Sequence, residues 1–336
     1  MGEGEFDLIE TLRDPSRVRR LDAARGLVKG VGDDAAVLRQ SAELDSVITT
    51  DLLVENIDFK LTGGDDASNV GRRAVAVSLS DIAAMGARPR WLLLSVGVPL
   101  KLWERGFARS LLLSAKAYAS DFRVALVGGD LSRTPERVVV DSIVVGEVER
   151  GRAVLRSGAK PGDQIYVTGF LGGAAYTLRD TARQSWHAAD GPQGSLRETT
   201  PHPRVELGSA LGSRRLATAM IDISDGLSSD LAHLCRESGV GARVEAASLP
   251  LDPLLKQAGL KKSDALSLAL HGGEDFELLF TVSPRRAGAV EKLRGPVPVT
   301  RVGEITADAG RLELVEGRRT RRLKPSGFEH FARGDK

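Results

Sequence analysis

Sulfur is nearly missing from this chain: one cysteine, Cys235, among 336 residues. That excludes an internal disulfide framework and leaves no cysteine cluster for zinc or iron–sulfur binding. An excess of one charge is missing too. With 47 Lys and Arg against 45 Asp and Glu, the net charge is +2, so no global field points to nucleic acid or to an anionic membrane surface. Apolar runs fall well short of a membrane span. The opening "MGEGEFDLIE" has neither the basic nor the apolar region of an export signal, and the expectation is a cytoplasmic, soluble protein. There is no GxxxxGK[ST] phosphate loop and no GxGxxG after a first strand. The one basic run, "GRRTRRLK" at 317–324, reads as a solvated strand edge or turn.

What is present is enough chain for two cores. Ordinary fractions of hydrophobic (42%) and charged (27%) residues put it in the globular class. A helix is expected over "FDLIETLR" and a strand over "DSVITTD", ending at Asp51. "DDASNVGRRAVAVSLSDIAAMGARP" has apolar residues at helical spacing, caps at Asp66 and Ser68, and a stop at Gly86 and Pro89, which puts Asp81 inside an apolar helix. "WLLLSVGVP", "RVALVGGD" and "RVVVDSIVVGEV" read as strands, the second broken by Gly128 and Gly129 with Asp130 just past it. Punctuation by Gly and Pro near Gly151 marks a domain boundary, giving domains 1–150 and 151–336. The second half alternates again, with a polar insertion at 187–196 that looks like a mobile loop. Mixed strands and helices in both halves argue for α/β and α+β layers.

Asp33, Asp34, Asp51, Asp81, Asp130, Asp222, Asp225 and Glu274 share a habit: each ends an apolar element or lies within one. Carboxylates so placed must be paired, hydrogen-bonded or protonated. Arg72 and Arg73 could neutralise two of them. Oxygen ligands without cysteine or a histidine pair favour a hard cation, and few protein ligands shared with phosphate oxygens suit Mg²⁺. Backbone N–H groups at "VGGD", "TGFLGG", "ISDGL" and "HGGED" are further points where an anion could approach. A magnesium–nucleotide site is expected.

The ordered motifs "GDDAAV", "TTDLLVENIDF", "SLSDIAAMGARP", "LVGGDLSR", "RSGAKPGD", "IDISDGLSSDL" and "GGEDFELLF" strongly resemble the thiamine-monophosphate kinase family, part of the superfamily of aminoimidazole ribonucleotide and selenophosphate synthetases. The resemblance runs from about residue 5 to 331. It implies a two-domain synthetase-type fold with an N-terminal α/β domain forming the dimer interface of a homodimer and a C-terminal α+β domain. The activity implied is ATP-dependent phosphorylation of thiamine monophosphate. By the same resemblance Asp34, Thr50, Asp51, Asp81, Asp130, Asp222 and Asp225 correspond to Mg²⁺ ligands, and Gly129, Asp130, Arg156 and Ser224 to ATP contacts. Glu274 and Phe328 correspond to substrate contacts. Asp58, in "ENIDF", stands where the family commonly has a substrate-contacting histidine.

That chemistry suits the residues. Both reactants are polyanions, and unit charges about 4 Å apart repel by roughly 4 kcal/mol at an effective dielectric near 20, so cations must clamp them for in-line transfer. The attacking phosphate oxygen has a second pKa of about 6 and needs no general base. His271 reads as a helix C-terminal residue favoured by the macrodipole. Rival readings are another synthetase of the superfamily and a nonenzymatic Mg–nucleotide sensor. Selenophosphate synthetase needs a reactive cysteine or selenocysteine in an N-terminal glycine-rich segment, which this chain lacks, and Cys235 has a core-like helical position.

Overall fold

Alternation of buried and more exposed side chains along its long strands shapes the first sheet. In this computed structural model, which describes residues 9, 25–61, 66–184, 200–293 and 295–328, six strands are ordered β1-β2-β3-β6-β4-β5. They are β1 (Leu27–Lys29), β2 (Ala36–Arg39), β3 (Leu44–Val54), β4 (Arg88–Pro99), β5 (Ala125–Thr134) and β6 (Val139–Glu149). All neighbours are antiparallel except β4 and β5. That parallel pair needs a crossover, supplied by helices Leu100–Glu104 (α2) and Phe107–Asp121 (α3). The helix expected over "FDLIETLR", all but Ile9, and the 187–196 loop lie outside the described residues.

Helix α1 (Asp66–Ala84) covers the inner face of this sheet and is buried nearly all round. It packs on β3, β4 and β6, on α3, and also on β8 and α5 of the second half. Gly71 permits the approach to α3, because a Cβ there would collide with the Leu111 carbonyl. The helix ends as expected at Gly86, whose φ of +67° suits glycine.

The second sheet has seven strands, ordered β13-β12-β9-β11-β7-β10-β8: β7 (Gln164–Thr168), β8 (Ala217–Asp222), β9 (Gly241–Glu245), β10 (Leu278–Val282), β11 (Val299–Thr306), β12 (Leu312–Glu316) and β13 (Arg319–Arg322). Around it lie α4 (Gly173–Gln184), α5 (Val205–Ser213), α6 (Leu227–Ser238), α7 (Pro253–Gln257) and α8 (Lys262–His271). The basic run forms β13, exposed along its length at the sheet edge. One apolar cluster spans both halves, joining Val37, Leu79, Ile82 and Leu94 to Val205, Met220 and Phe280, while a second fills the space around β7, β8 and α6. No helix among the described residues is long and apolar enough to cross a membrane.

Two strand boundaries differ from the sequence reading. β3 continues past Asp51 to Val54, because the Ser78 hydroxyl bonds the Asp51 carboxylate at 2.6 Å and the charge need not end the strand. β5 runs through both glycines, so Asp130 lies inside it. Gly129, at φ +150°, keeps the ladder intact where a side chain would strike the Leu94 backbone, and the register slips at a bulge between Leu92 and Leu93.

Candidate active site

The adjacent acids of "GVGDDAAV" turn to different partners. Asp33 accepts the Arg156 backbone N–H at 3.1 Å and pairs with Lys29 at 3.3 Å. Asp34, buried two residues before β2, accepts from the Arg156 guanidinium at 2.6 and 3.2 Å. Asp81 comes from α1, Asp222 from the end of β8 and Asp51 from the inner face of β3. One carboxylate oxygen each from Asp34, Asp81 and Asp222 lie within 4.8 Å of one another. Hydroxyls steady the group: Thr49 donates to Asp81, Ser80 to Asp222 at 2.6 Å and Ser78 to Asp51.

Crowding and burial leave this negative charge poorly compensated. Burial, followed by the neighbouring Asp51, Asp222 and Asp34, pushes Asp81 well above the usual carboxylate range. Burial and then Asp34 raise Asp222 to about 7. Asp51 rises to about 6, chiefly through burial, with the Ser78 hydrogen bond opposing and Asp141 adding to the shift. Burial works against the charge on Arg156, but Asp34 and Asp33 more than offset it and hold the guanidinium protonated. One oxygen, Asp34 Oδ2, is buried without a hydrogen-bond partner. An all-oxygen set with an orphaned buried acceptor and excess negative charge fits a hard divalent cation.

Other expected residues lie elsewhere. Thr50 faces the outer side of the first sheet, its hydroxyl 2.7 Å from Asp141. Asp130 sits in a row across β5, β4, β6 and β3 with Ser95, Asp141 and Leu52, on that same outer face. Neither side chain joins the three-carboxylate cluster. The reason is strand parity: consecutive residues alternate faces, and Thr50 and Asp130 are each one step from the inward residues Asp51 and Gly129. Asp58 accepts the Val54 N–H at 2.7 Å, bracing the turn after β3.

A second group assembles where β8 enters α6. Ser224 and Asp225 form the turn, and the Glu274 N–H donates to the Ser224 carbonyl at 2.7 Å. Glu274, at φ +65°, pairs with Arg73 from α1. The Phe328 N–H reaches the Asp225 carbonyl at 3.2 Å. Beside them is a cleft of about 160 Å³ lined by Arg73, Phe170, Thr177, Glu274 and Asp275. Burial raises Asp275 to about 8, although the Gly172 N–H bonds it.

Sequence reasoning missed the supporting hydroxyls of Thr49, Ser78 and Ser80. Their signal was there: "SLSD" puts two serines beside an acid in an otherwise apolar helix, and both prove fully buried.

Residues 32–148 match the family described as "AIR synthase related protein, N-terminal domain", and residues 160–315 its "C-terminal domain". The chain is similar to thiamine-monophosphate kinase of Escherichia coli K12, with 39% identity over 99% of each chain. Among solved structures, "AaThiL complexed with AMPPCP and TMP" is 29% identical, with a TM-score of 0.80 over 98% of this chain and 97% of that one. Thiamine-monophosphate kinase from Stenotrophomonas maltophilia K279a is 36% identical, with a TM-score of 0.72 over 92% and 96%.

Proposed function

Because the chain belongs to the thiamine-monophosphate kinase family of AIR synthase related proteins, we propose that it transfers the γ-phosphoryl group of ATP to thiamine monophosphate, giving thiamine diphosphate. The observation that carries this reading is the oxygen-only cluster of Asp34, Asp81 and Asp222 beside the Arg156 guanidinium. A relative of matching fold is complexed with AMPPCP and TMP, an ATP analogue and a phosphorylated partner.

Asp34, Asp51, Asp81 and Asp222 would hold magnesium, with Asp225 at the edge of the group, and the number of carboxylates suits more than one ion. Magnesium bound there would neutralise charge on both sets of phosphates. Arg156, Ser224 and Gly129 bind the nucleotide, whereas Thr50 and Asp130, on the outer face of the first sheet, lie away from this subunit's cluster. Glu274, Phe328 and Asp58 take the thiamine end. No residue need remove a proton, since the acceptor phosphate is largely ionised near neutrality. Transfer is direct and in line, with no phosphoenzyme, and positioning plus electrostatics lower the barrier.

The domain boundary is placed at 150/151, and the working unit is a homodimer joined through the outer face of the first sheet. Exposed Leu52 and Trp91 on that face, with Val127 on its edge strand, support this; scattered apolar residues are ordinary on surfaces, but grouped ones mark contacts. Light scattering should give twice the chain mass.

Incubation with ATP, Mg²⁺ and either thiamine monophosphate or free thiamine, with products resolved chromatographically, tests the activity. Diphosphate formed only from the monophosphate is expected. Nucleotide binding without any thiamine product would replace the kinase with a nucleotide sensor.

A further inference from the structure

Three glycine-bearing segments interlock next to the proposed thiamine end of the site. The Ser224–Gly226 turn meets the turn after α8 so closely that a Cβ on Gly226 would lie 3.0 Å from the His271 carbonyl carbon, and one on Gly273 would lie 2.6 Å from the Ser224 carbonyl oxygen. The third segment is the strap at 324–328. It is anchored at one end by Leu323, 1% exposed, whose N–H bonds the Leu312 carbonyl at 2.9 Å. Its other end lies against the first turn: a Cβ on Gly327 would fall 2.5 Å from the Asp225 carbonyl oxygen.

A closed hydrogen-bond network fastens the strap between these ends. The fully buried Ser228 hydroxyl donates to the Ser326 carbonyl at 2.8 Å and accepts the Ser326 N–H at 3.1 Å. His271 Nδ1 lies 2.8 Å from Ser228 Oγ and 3.2 Å from the Ser326 carbonyl oxygen. A carbonyl has no hydrogen to give, so the network closes only if Nδ1 carries one and donates. The Ser228 hydroxyl and the Ser326 N–H and carbonyl are then all engaged. Capping α8 would not require this arrangement, because the network's partners are on α6 and the strap and not on the helix's own carbonyls.

We propose that His271 and Ser228 form a clasp that positions Phe328 for thiamine monophosphate. The inference rests on the reading above in which Phe328 contacts the substrate. Neither clasp residue touches the reacting atoms; both act through the backbone of Ser326. Order in the strap before substrate arrives lowers the conformational cost of binding, so the effect should fall on substrate affinity.

The test compares wild type with His271→Ala, His271→Asn and Gly327→Ala. Asparagine offers an amide N–H near the place of Nδ1. Gly327→Ala leaves the clasp side chains intact but lifts the strap off Asp225, a second route should His271→Ala fold poorly. Loss of one such bond should raise KM for thiamine monophosphate about threefold to tenfold in His271→Ala and Gly327→Ala, with KM for ATP and kcat unchanged. His271→Asn should restore it. Hydrogen exchange at the Phe328 amide should quicken in the first and return toward wild type in the Asn variant. An equal rise in both KM values, or no rescue by asparagine, would reduce His271 to a general structural residue and overturn the proposal. Unchanged Phe328 exchange in His271→Ala would overturn it as well. Should wild type make no thiamine diphosphate, or Phe328→Ala leave KM untouched, the functional reading fails separately, and the exchange measurement still decides the clasp.

Discussion

Asp51 shows how far a single side chain can be read in advance. Its place at the edge of an apolar run marked it as a carboxylate with a task, and the structure sets it 2.6 Å from Ser78 on the side of the sheet that holds the cluster. Asp51→Asn keeps size and shape while removing a charge, so kcat should fall by about 100-fold or more with the circular dichroism unchanged; wild-type turnover in that variant would remove Asp51 from the machinery. Cys235 gives the opposite expectation. Burial pushes its thiol up to about 12, so almost no thiolate exists at neutral pH. Cys235→Ala should turn over normally, and iodoacetamide should leave the native enzyme active. The carboxylates were legible because charge at the end of an apolar run is costly without a partner. The sidedness of Thr50 and Asp130 was not, since a one-residue offset reverses it and nothing local in "TTD" or "VGGD" fixes the offset. Nor could the sequence show that Arg156, distant in the chain, bonds Asp34, whereas Arg73 bonds Glu274.

Among the elements, α1 was read almost to the residue, from Asp66 to the stop before Gly86. Spacing and end signals are local properties, and they agree here. What spacing could not tell is that the helix has no solvent face worth the name, because the second half of the chain covers what an amphipathic helix would leave wet. That total enclosure makes its small residues critical. Gly71→Val should force α1 away from the Leu111 carbonyl at a cost of about 1–3 kcal/mol, read as a lower denaturation midpoint with an unchanged m-value. An unaltered midpoint would mean the two helices yield freely. β3 and β5 overran their expected ends for reasons that lie outside each segment: a serine on α1 in one case, the β4 backbone in the other.

For the molecule as a whole, the crowded carboxylates set a pH dependence whose sign follows directly. Asp222 near 7 and Asp51 near 6 lie above the unfolded aspartate value of about 3.9. Between roughly pH 4 and 7 the folded state therefore holds more protons than the unfolded state, and stability falls as pH rises through that window. Without divalent metal the melting temperature should drop from pH 5.5 to pH 8, and Asp222→Asn should flatten the slope. Added Mg²⁺ should restore more at pH 8 than at pH 6, where it must displace protons. A metal-free melting temperature that climbs toward pH 8, with no change of slope in Asp222→Asn, would contradict this account of the cluster.

The main apolar cluster draws side chains from both sheets, and the α5 glycines Gly208 and Gly212 sit against the backbone at Ala83 and Gly86. A cut in the connecting segment would not yield two transplantable modules; it would strip α1 of its cover and leave an aggregation-prone stump. Recombination at that joint should be tolerated only when the donor's Val205–Ser213 helix travels with a first half whose contour it already fits. The two pieces are thus held to a common inheritance, whatever happens to the loops around them.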